Sequence, residues 1–196
     1  VDPAVTGLTG GMADVTTVID KDKTATTPTI SGLDTVDVTI SGTKATNTNT
    51  IDKINNIIDK TTGVVTATVY EDGDDKKLDK LIAETGGLKG TGNKIDINID
   101  TDETANTNGA AKTVRASSLL SLYAKTTGLI TIGTNITAID GTAANLASIY
   151  AVADDGTAAT SRITGLAAEA VTVIDAAANG VGGVVSAADL KTIEKG

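Results

Sequence analysis

A repeated segment constrains the fold of this chain more than any single motif does. The segment from Thr50 to Val65, TIDKINNIIDKTTGVV, has a near copy from Lys112 to Ile130, KTVRASSLLSLYAKTTGLI. Each copy predicts an amphipathic helix that ends at Thr-Thr-Gly and is followed by a short apolar run, and a degenerate third copy ends at residues 179–185, NGVGGVV. Self-similarity at a fixed period indicates stacked copies of one supersecondary unit.

Further alignments extend the repeat over most of the chain. The aligned pairs, with small gaps, are residues 10–15 with 141–146, residues 30–33 (ISGL) with 163–166 (ITGL), and residues 36–38 with 171–173. Residues 5–10 and residues 190–196 both align with residues 136–141. The chain therefore begins and ends at the same phase of the repeat.

The periodicity of the apolar residues predicts alternating strands and helices. Residues 36–40 and 95–99 alternate apolar and polar side chains, as in a half-buried strand. An apolar stripe at Ile51, Ile54, Ile57 and Ile58 predicts a helix. Strands joined by helical crossovers are parallel, and such connections are right-handed.

We therefore predict a right-handed β/α solenoid with one parallel sheet of short strands and the helices on its other side. Gly63 and Gly128, which end the two Thr-Thr-Gly signals, are about 65 residues apart, which fits two strand–helix coils of about 30 residues each. Residues 1–196 would form one elongated domain of three double-coil units, at approximately 5–67, 68–135 and 136–196. The alternative is a compact three-layer α/β domain.

The composition favours the solenoid. Of the 196 residues, 40% are hydrophobic, yet Phe, Trp, Cys and His are absent and Tyr70, Tyr123 and Tyr150 are the only aromatic residues. Large globular cores rarely lack aromatic side chains, whereas thin cores between stacked coils can be filled by aliphatic layers.

Charge and hydropathy exclude two classes of partner. The formal net charge is −9, and an acidic chain with few stacking aromatics is a poor ligand for nucleic acid. No apolar run approaches the roughly 20 residues that span a bilayer, so we expect no membrane insertion. The absence of Cys fits many bacterial extracellular proteins, but cytosolic proteins can also lack it, so it defines no compartment.

The sequence offers no catalytic constellation, and we expect no enzyme. Without His or Cys the chain lacks the commonest general base, thiol nucleophiles and the usual zinc ligands. Ser121 and Lys125 are four residues apart on a predicted helix, which is typical of a surface pair. The Gly-rich stretch at residues 86–92, GGLKGTG, lacks the Gly-Lys-Ser/Thr ending of a phosphate loop.

The acidic loops are the best candidates for a ligand site. Calcium prefers six to eight hard oxygen ligands, which Gly-containing acidic turns can supply. No loop matches the EF-hand pattern, and Asp with Gly is also ordinary turn chemistry, so a solvated turn is the competing interpretation. The candidate calcium ligands are Asp72, Asp74, Asp75, Asp100, Asp102, Asp154 and Asp155.

Three phrases carry a resemblance to a known class of repeat. They are residues 61–65 (TTGVV), residues 139–150 (IDGTAANLASIY) and residues 163–173 (ITGLAAEAVTV). They resemble the tandem-repeat regions of giant bacterial cell-surface and secreted proteins, including those of marine cyanobacteria. The similarity is strongest from about Thr126 onward and weakest over residues 71–108. It implies an extracellular structural or adhesive array and carries over no catalytic residues.

We therefore expect a non-catalytic structural or adhesive repeat segment of an extracellular bacterial surface protein, located at the cell surface. A first alternative is a self-assembling filament or surface-layer subunit, because the matched phase of the two ends predicts contacts with other copies end to end. A second alternative is a module that binds calcium through the acidic loops or surface glycans through a face lined by Thr and Asn.

Overall fold

The chain is an α/β protein whose strands pair in parallel, as the sequence predicts. The computed structural model describes residues 5–24, 32–42, 51–71, 78, 81–83, 87–89, 92–99, 113–153, 162–166 and 169–174. The strands are β1 (Gly7–Gly11), β2 (Asp37–Ser41), β3 (Val65–Glu71), β4 (Lys94–Ile99), β5 (Thr113–Arg115), β6 (Ile130–Ile132), β7 (Ala138–Gly141), β8 (Ile163–Thr164) and β9 (Ala170–Val173). The helices with described bounds are α1 (Met12–Thr24), α2 (Ile51–Ile58), α3 (Ala116–Lys125) and α4 (Ala143–Ala153), with a 3-10 turn at Leu33–Thr35.

Six strands form a large sheet in the order β1-β2-β3-β4-β6-β8. Each strand pairs in parallel with the next strand of this sheet along the chain. Among the described residues β1 and β8 are the two edges, so the sheet is open. It therefore grows in one direction as the chain proceeds.

The prediction of one sheet is wrong, because β5, β7 and β9 form a second parallel sheet, the small sheet. A tight turn, in which Ile136 N donates to the Gly133 carbonyl at 3.0 Å, separates β6 from β7. The backbone groups of an extended segment need hydrogen-bond partners, and β7 pairs with β5 on one side and β9 on the other. The later part of the chain thus contributes alternate strands to two sheets.

The helix predicted over residues 112–125 is shorter than expected. Residues Thr113–Arg115 are extended and pair with residues 138–140, and α3 begins only at Ala116. Pairing with β7 satisfies backbone groups that the first turn of a helix leaves without partners, so tertiary contact decides this boundary. The helix predicted from its stripe of isoleucines is present as Ile51–Ile58, and it ends before Thr61 rather than at the Thr-Thr-Gly turn.

One aliphatic core joins the large sheet to the helices. The buried side chains of β2 and β4 are those at alternate positions, Val38 and Ile40 in one strand and Ile95, Ile97 and Ile99 in the other. They belong to the same hydrophobic cluster as the buried side chains of the four helices. Helix α1 packs against α2, and α3 packs against α4. A three-layer α/β domain is compatible with this arrangement.

The alignment of the first helix with the last described helix is confirmed by their burial. Strand β1 runs directly into α1, and β7 is followed by α4 after one residue. The three aligned pairs of buried helix residues are Met12 with Ala143, Val15 with Leu146, and Ile19 with Tyr150. The hydroxyls of Thr17 and Ser148, also aligned, each donate to the carbonyl four residues earlier at 2.8 Å.

The other two internal alignments have different outcomes. Gly32 and Gly165 both have a left-handed backbone, with φ of 87° and 88°, so the two Gly-Leu steps share this glycine conformation. Residues 36–38 and 171–173 both enter a strand that pairs in parallel with the strand before the helix, β2 with β1 and β9 with β7, but they differ in burial because β2 also pairs with β3. Val38 is fully buried whereas Val173 is 36% exposed.

Candidate functional site

The predicted calcium ligands cannot be compared with the structure. All seven aspartates, at positions 72, 74, 75, 100, 102, 154 and 155, lie outside the described residues. Within the part of the chain that is described, no three His, Cys, Asp or Glu side chains come together as a metal site would require. Calcium binding stays a prediction.

The most distinctive described feature is the first Thr-Thr-Gly turn, which precedes β3. The Thr61 hydroxyl donates to the Val36 carbonyl at 2.8 Å and accepts a bond from Gly63 N at 3.0 Å. The Thr62 backbone N–H donates to the Asp34 carbonyl at 2.7 Å. These bonds bind the turn to the segment that leads into β2, the neighbouring strand.

The second Thr-Thr-Gly turn, which precedes β6, makes the same bonds. The Thr126 hydroxyl donates to the Ile95 carbonyl at 2.8 Å and accepts from Gly128 N at 2.9 Å. The Thr127 backbone N–H donates to the Asn93 carbonyl at 3.0 Å. The sequence repeat is therefore also a repeat of hydrogen bonds between neighbouring strands.

An aspartate completes each turn from the neighbouring strand. Asp37 Oδ1 accepts from Val64 N, and Asp96 Oδ1 accepts from Leu129 N, both at 2.8 Å. A carboxylate that accepts a backbone N–H forms a charge-assisted bond, which is stronger than a neutral one. Since each bond fixes the residue next to a turn glycine, it also fixes the register of the strand that follows.

The glycine of each turn is required by a close backbone approach. A Cβ atom on Gly63 would lie 2.1 Å from the Val36 carbonyl oxygen, and one on Gly128 would lie 2.4 Å from the Ile95 carbonyl oxygen. Real side chains do not occupy such distances, so only glycine lets the two segments approach this closely.

A buried asparagine connects the two turns. Asn93 Oδ1 accepts from Val65 N at 2.7 Å, at the start of the strand that follows the first turn. The Asn93 carbonyl accepts from Thr127 in the second turn. Asn55 has a comparable role on α2, because its amide donates to the Gly87 carbonyl at 2.8 Å and accepts from Lys89 N at 2.9 Å. Buried amides with both ends bonded tie segments distant in sequence together.

The asparagines were not singled out by the sequence. Asn is common in the polar loops of this chain, and neither position carries a local signal of burial. The sequence predicted the Thr-Thr-Gly repeat only as a signal that ends a helix. In the structure, the hydroxyls of its first threonines donate to carbonyls more than 20 residues earlier. These bonds satisfy polar groups that are buried.

A series of cationic side chains reaches back to earlier segments of the chain. Lys60 pairs with Asp20, and Lys89 pairs with Asp59 at 2.5 Å. Lys125 Nζ donates to the Ala83 carbonyl at 3.3 Å. Such exposed pairs each contribute little to stability, about 0–1 kcal/mol.

Arg162 continues this pattern with a more enclosed contact. Its guanidinium donates to the Thr126 carbonyl and lies over the Tyr123 ring, 3.8 Å from the centroid. A guanidinium stacked on a ring and bonded to a carbonyl is held in one orientation. The contact connects the residue before β8 to the second Thr-Thr-Gly turn.

Tyr150 on α4 is the described ionisable group whose pKa clearly departs from its ordinary value. Burial raises the pKa of its phenol, and the negative charge of Glu169 raises it further. The phenol is consequently un-ionised at neutral pH, which suits its position in the core.

The outward face of the large sheet is polar. Thr9, Thr39 and Thr66 are neighbours across β1, β2 and β3, and Asn98, Thr131 and Thr164 are neighbours across β4, β6 and β8. These side chains are exposed or half-buried. Across β3 and β4 these rows continue to Lys94, beside Thr66, and to Tyr70, beside Asn98. Glycan binding by a Thr- and Asn-lined face stays a prediction.

Replacing Thr126 with valine is expected to destabilise the protein strongly for so small a change. The side chain is buried, and its hydroxyl accepts from both Ile95 N and Gly128 N at 2.9 Å. Each buried donor left without a partner costs about 1–3 kcal/mol. The free energy of unfolding from urea titration measures this loss.

Thr127→Val is the matched control. The Thr127 side chain is exposed, and the Asn93 carbonyl to which it donates keeps its bond from the Thr127 backbone N–H. We expect a change within about 0.5 kcal/mol. Equal losses in the two variants would contradict the assigned role of the buried hydroxyl.

Comparisons with known proteins assign neither a family nor a function to this chain. Searches against protein-family models, curated proteins and solved structures each return no match for this chain. Among the described helices, none combines the length and apolar character that crossing a bilayer requires.

Proposed function

We propose that this chain is a non-catalytic structural repeat segment of an extracellular bacterial surface protein, built as a right-handed β/α solenoid. One observation carries the proposal: the same Thr-Thr-Gly turn, with the same bonds to the neighbouring strand, precedes both β3 and β6. When the same turn recurs and makes the same bonds to the preceding strand, it indicates repeated units that each contact mainly their neighbours.

The strand order of the large sheet supports the solenoid. When parallel strands are added in chain order through crossovers of one hand, the helices all fall on one face and the sheet extends along an axis. The pairing β1-β2-β3-β4-β6-β8 follows this rule without a reversal. Doubly wound α/β domains instead reverse the strand order at a switch point.

The chemistry of the chain supports a structural role. Among the described residues the interior is aliphatic except for Tyr150, the outward face of the large sheet carries hydroxyl and amide groups, and the chain has neither His nor Cys. Aliphatic layers hold neighbouring units together, while the polar exterior and the net charge of −9 favour solubility. A segment of this kind extends a surface protein without requiring a reactive site.

Duplicating one period tests the proposal. We expect a variant in which residues 64–128 are repeated once, in place, to fold cooperatively. In a solenoid the inserted unit packs against the same kinds of neighbours as the original unit. It adds two strands to the large sheet, and two spacings between neighbouring strands lengthen the molecule by about 10 Å. Circular dichroism, urea unfolding and the maximum dimension from X-ray scattering measure these properties.

A duplication of residues 64–113 is the control, because it is not a whole period and joins nonequivalent positions. It is expected to lose cooperative unfolding. If the whole-period duplication also fails to fold cooperatively, or if it folds without becoming longer, the chain is a layered domain and the solenoid proposal fails.

A further inference from the structure

The turn between β6 and β7 carries a tripeptide that the repeat does not explain. Residues 135–137 are Asn-Ile-Thr, and among all the asparagines of the chain Asn135 alone has Ser or Thr two positions later. Asn-X-Ser/Thr is the acceptor pattern for attachment of a sugar to the asparagine side chain, and the structural context that supports it is a surface loop.

The tripeptide has this context. Thr134 and Asn135 form a turn that Ile136 N closes by donating to the Gly133 carbonyl at 3.0 Å. Thr134 is exposed and Asn135 is half-buried. A sugar on Asn135 would therefore extend from the junction between the large sheet and the small sheet, outside the aliphatic core.

The burial of the three residues separates the middle one from its two neighbours. Ile136 is only 3% exposed, whereas Thr137 is exposed. Side chains two positions apart in an extended segment lie on the same side of the backbone, and the one between them lies on the other. A transferase can therefore contact the Asn135 amide and the Thr137 hydroxyl together while Ile136 stays in the core.

We propose that Asn135 is a glycosylation site, to which a transferase attaches a sugar from an activated sugar diphosphate. Asn135 Nδ2 forms a bond to the anomeric carbon, the bond from that carbon to the phosphate oxygen breaks, and the diphosphate leaves with the electron pair. The amide proton passes to a base of the transferase. The inference rests on the proposed function, because this modification is typical of secreted proteins.

The mass of one peptide tests the proposal on the full chain isolated from the cells that produce it. Trypsin cuts after Lys125 and Arg162, so Asn135 lies in the peptide of residues 126–162. We expect this peptide to be heavier by one sugar chain, and enzymatic release of the sugar to leave aspartate at position 135. An unmodified peptide overturns the proposal.

Substitutions within the tripeptide test which groups are recognised. The folded chain is incubated with a purified Asn-X-Ser/Thr transferase and a nucleoside diphosphate hexose. We expect the unchanged chain and Thr137→Ser to be modified, and Thr137→Val and Asn135→Gln to stay unmodified. The Ala170 N–H bonds to the backbone carbonyl of residue 137, so the pairing of β7 with β9 is kept. An unchanged chain that accepts no sugar, or a Thr137→Val protein that accepts as much, overturns the proposal.

The matched control is Ile58→Thr combined with Asn135→Gln, because it places the same Asn-Ile-Thr tripeptide at Asn56 on α2. Asn56 is exposed, but residues two apart on a helix do not face the same side. We expect the folded variant to stay unmodified and a synthetic peptide of its residues 51–63 to be modified. Equal modification of Asn56 and Asn135 in folded chains would overturn the turn as the recognised feature.

The Thr137 variants keep the test decisive if Ile58→Thr, at a half-buried position, does not fold. Circular dichroism establishes whether each variant is folded. The duplication of residues 64–128 does not include Asn135, so the two experiments are independent. An unmodified Asn135 leaves the solenoid intact, and a failed duplication does not change the mass of the peptide.

Discussion

Replacing Ile130 with alanine is expected to lower the free energy of unfolding by about 2–5 kcal/mol, because the side chain lies in the centre of the aliphatic core. Ile130 is fully buried and pairs with Ile97 on one side and Ile163 on the other. Those neighbours belong to hydrogen-bonded strands and cannot move inward to fill the space. Most of the cavity should therefore persist, which places the loss in the upper part of the range.

Leu129→Ala is the control for this prediction. Leu129 is adjacent in sequence and similar in size, but its side chain is 41% exposed. A surface truncation of this kind usually changes stability by no more than about 0.5 kcal/mol. Urea unfolding followed by circular dichroism measures both variants, with an unchanged m-value as the sign of two-state behaviour. Comparable losses of unfolding free energy in Ile130→Ala and Leu129→Ala would contradict the assignment of Ile130 to the buried face of β6.

Replacing Gly128 with alanine is expected to cost about 1–3 kcal/mol, as overpacking typically does. The new methyl group would lie 2.4 Å from the carbonyl carbon and oxygen of Ile95. Relief requires the second Thr-Thr-Gly turn to move away from β4, which weakens the Thr126 bond to the same carbonyl. The effect should therefore be partly nonadditive with Thr126→Val.

Gly92→Ala provides the comparison, because a Cβ atom there meets no other atom within 4 Å. The same chemical change is expected to be neutral or slightly stabilising, since alanine restricts the unfolded chain more than glycine does. Urea titrations of the two variants separate steric conflict from the intrinsic effect of glycine. Equal destabilisation would contradict the close approach at Gly128.

Residue periodicity predicted the elements whose reasons are local. The stripe of Ile51, Ile54 and Ile57 has the helical period, and these side chains are buried on α2. The alternation of residues 95–99 likewise produces β4 with its three isoleucines inward. Such patterns can be recognised because the side-chain period alone decides which face is apolar.

The candidate calcium site and the third copy of the repeat remain predictions. The seven aspartates and residues 179–185 lie outside the described residues. The resemblance to bacterial surface arrays and the end-to-end contacts with other copies also remain predictions.

By itself, the sequence determined the α/β class, the parallel pairing and the recurrence of the Thr-Thr-Gly unit, because these follow from side-chain period and self-similarity. Only the tertiary structure decided that the strands divide into two sheets and that Thr113–Arg115 is a strand. It also decided what the repeat is for: Thr61 and Thr126 hold the chain to the neighbouring strand. Those outcomes depend on partners more than 20 residues away, and a local pattern carries no information about which distant carbonyl will accept a hydrogen bond.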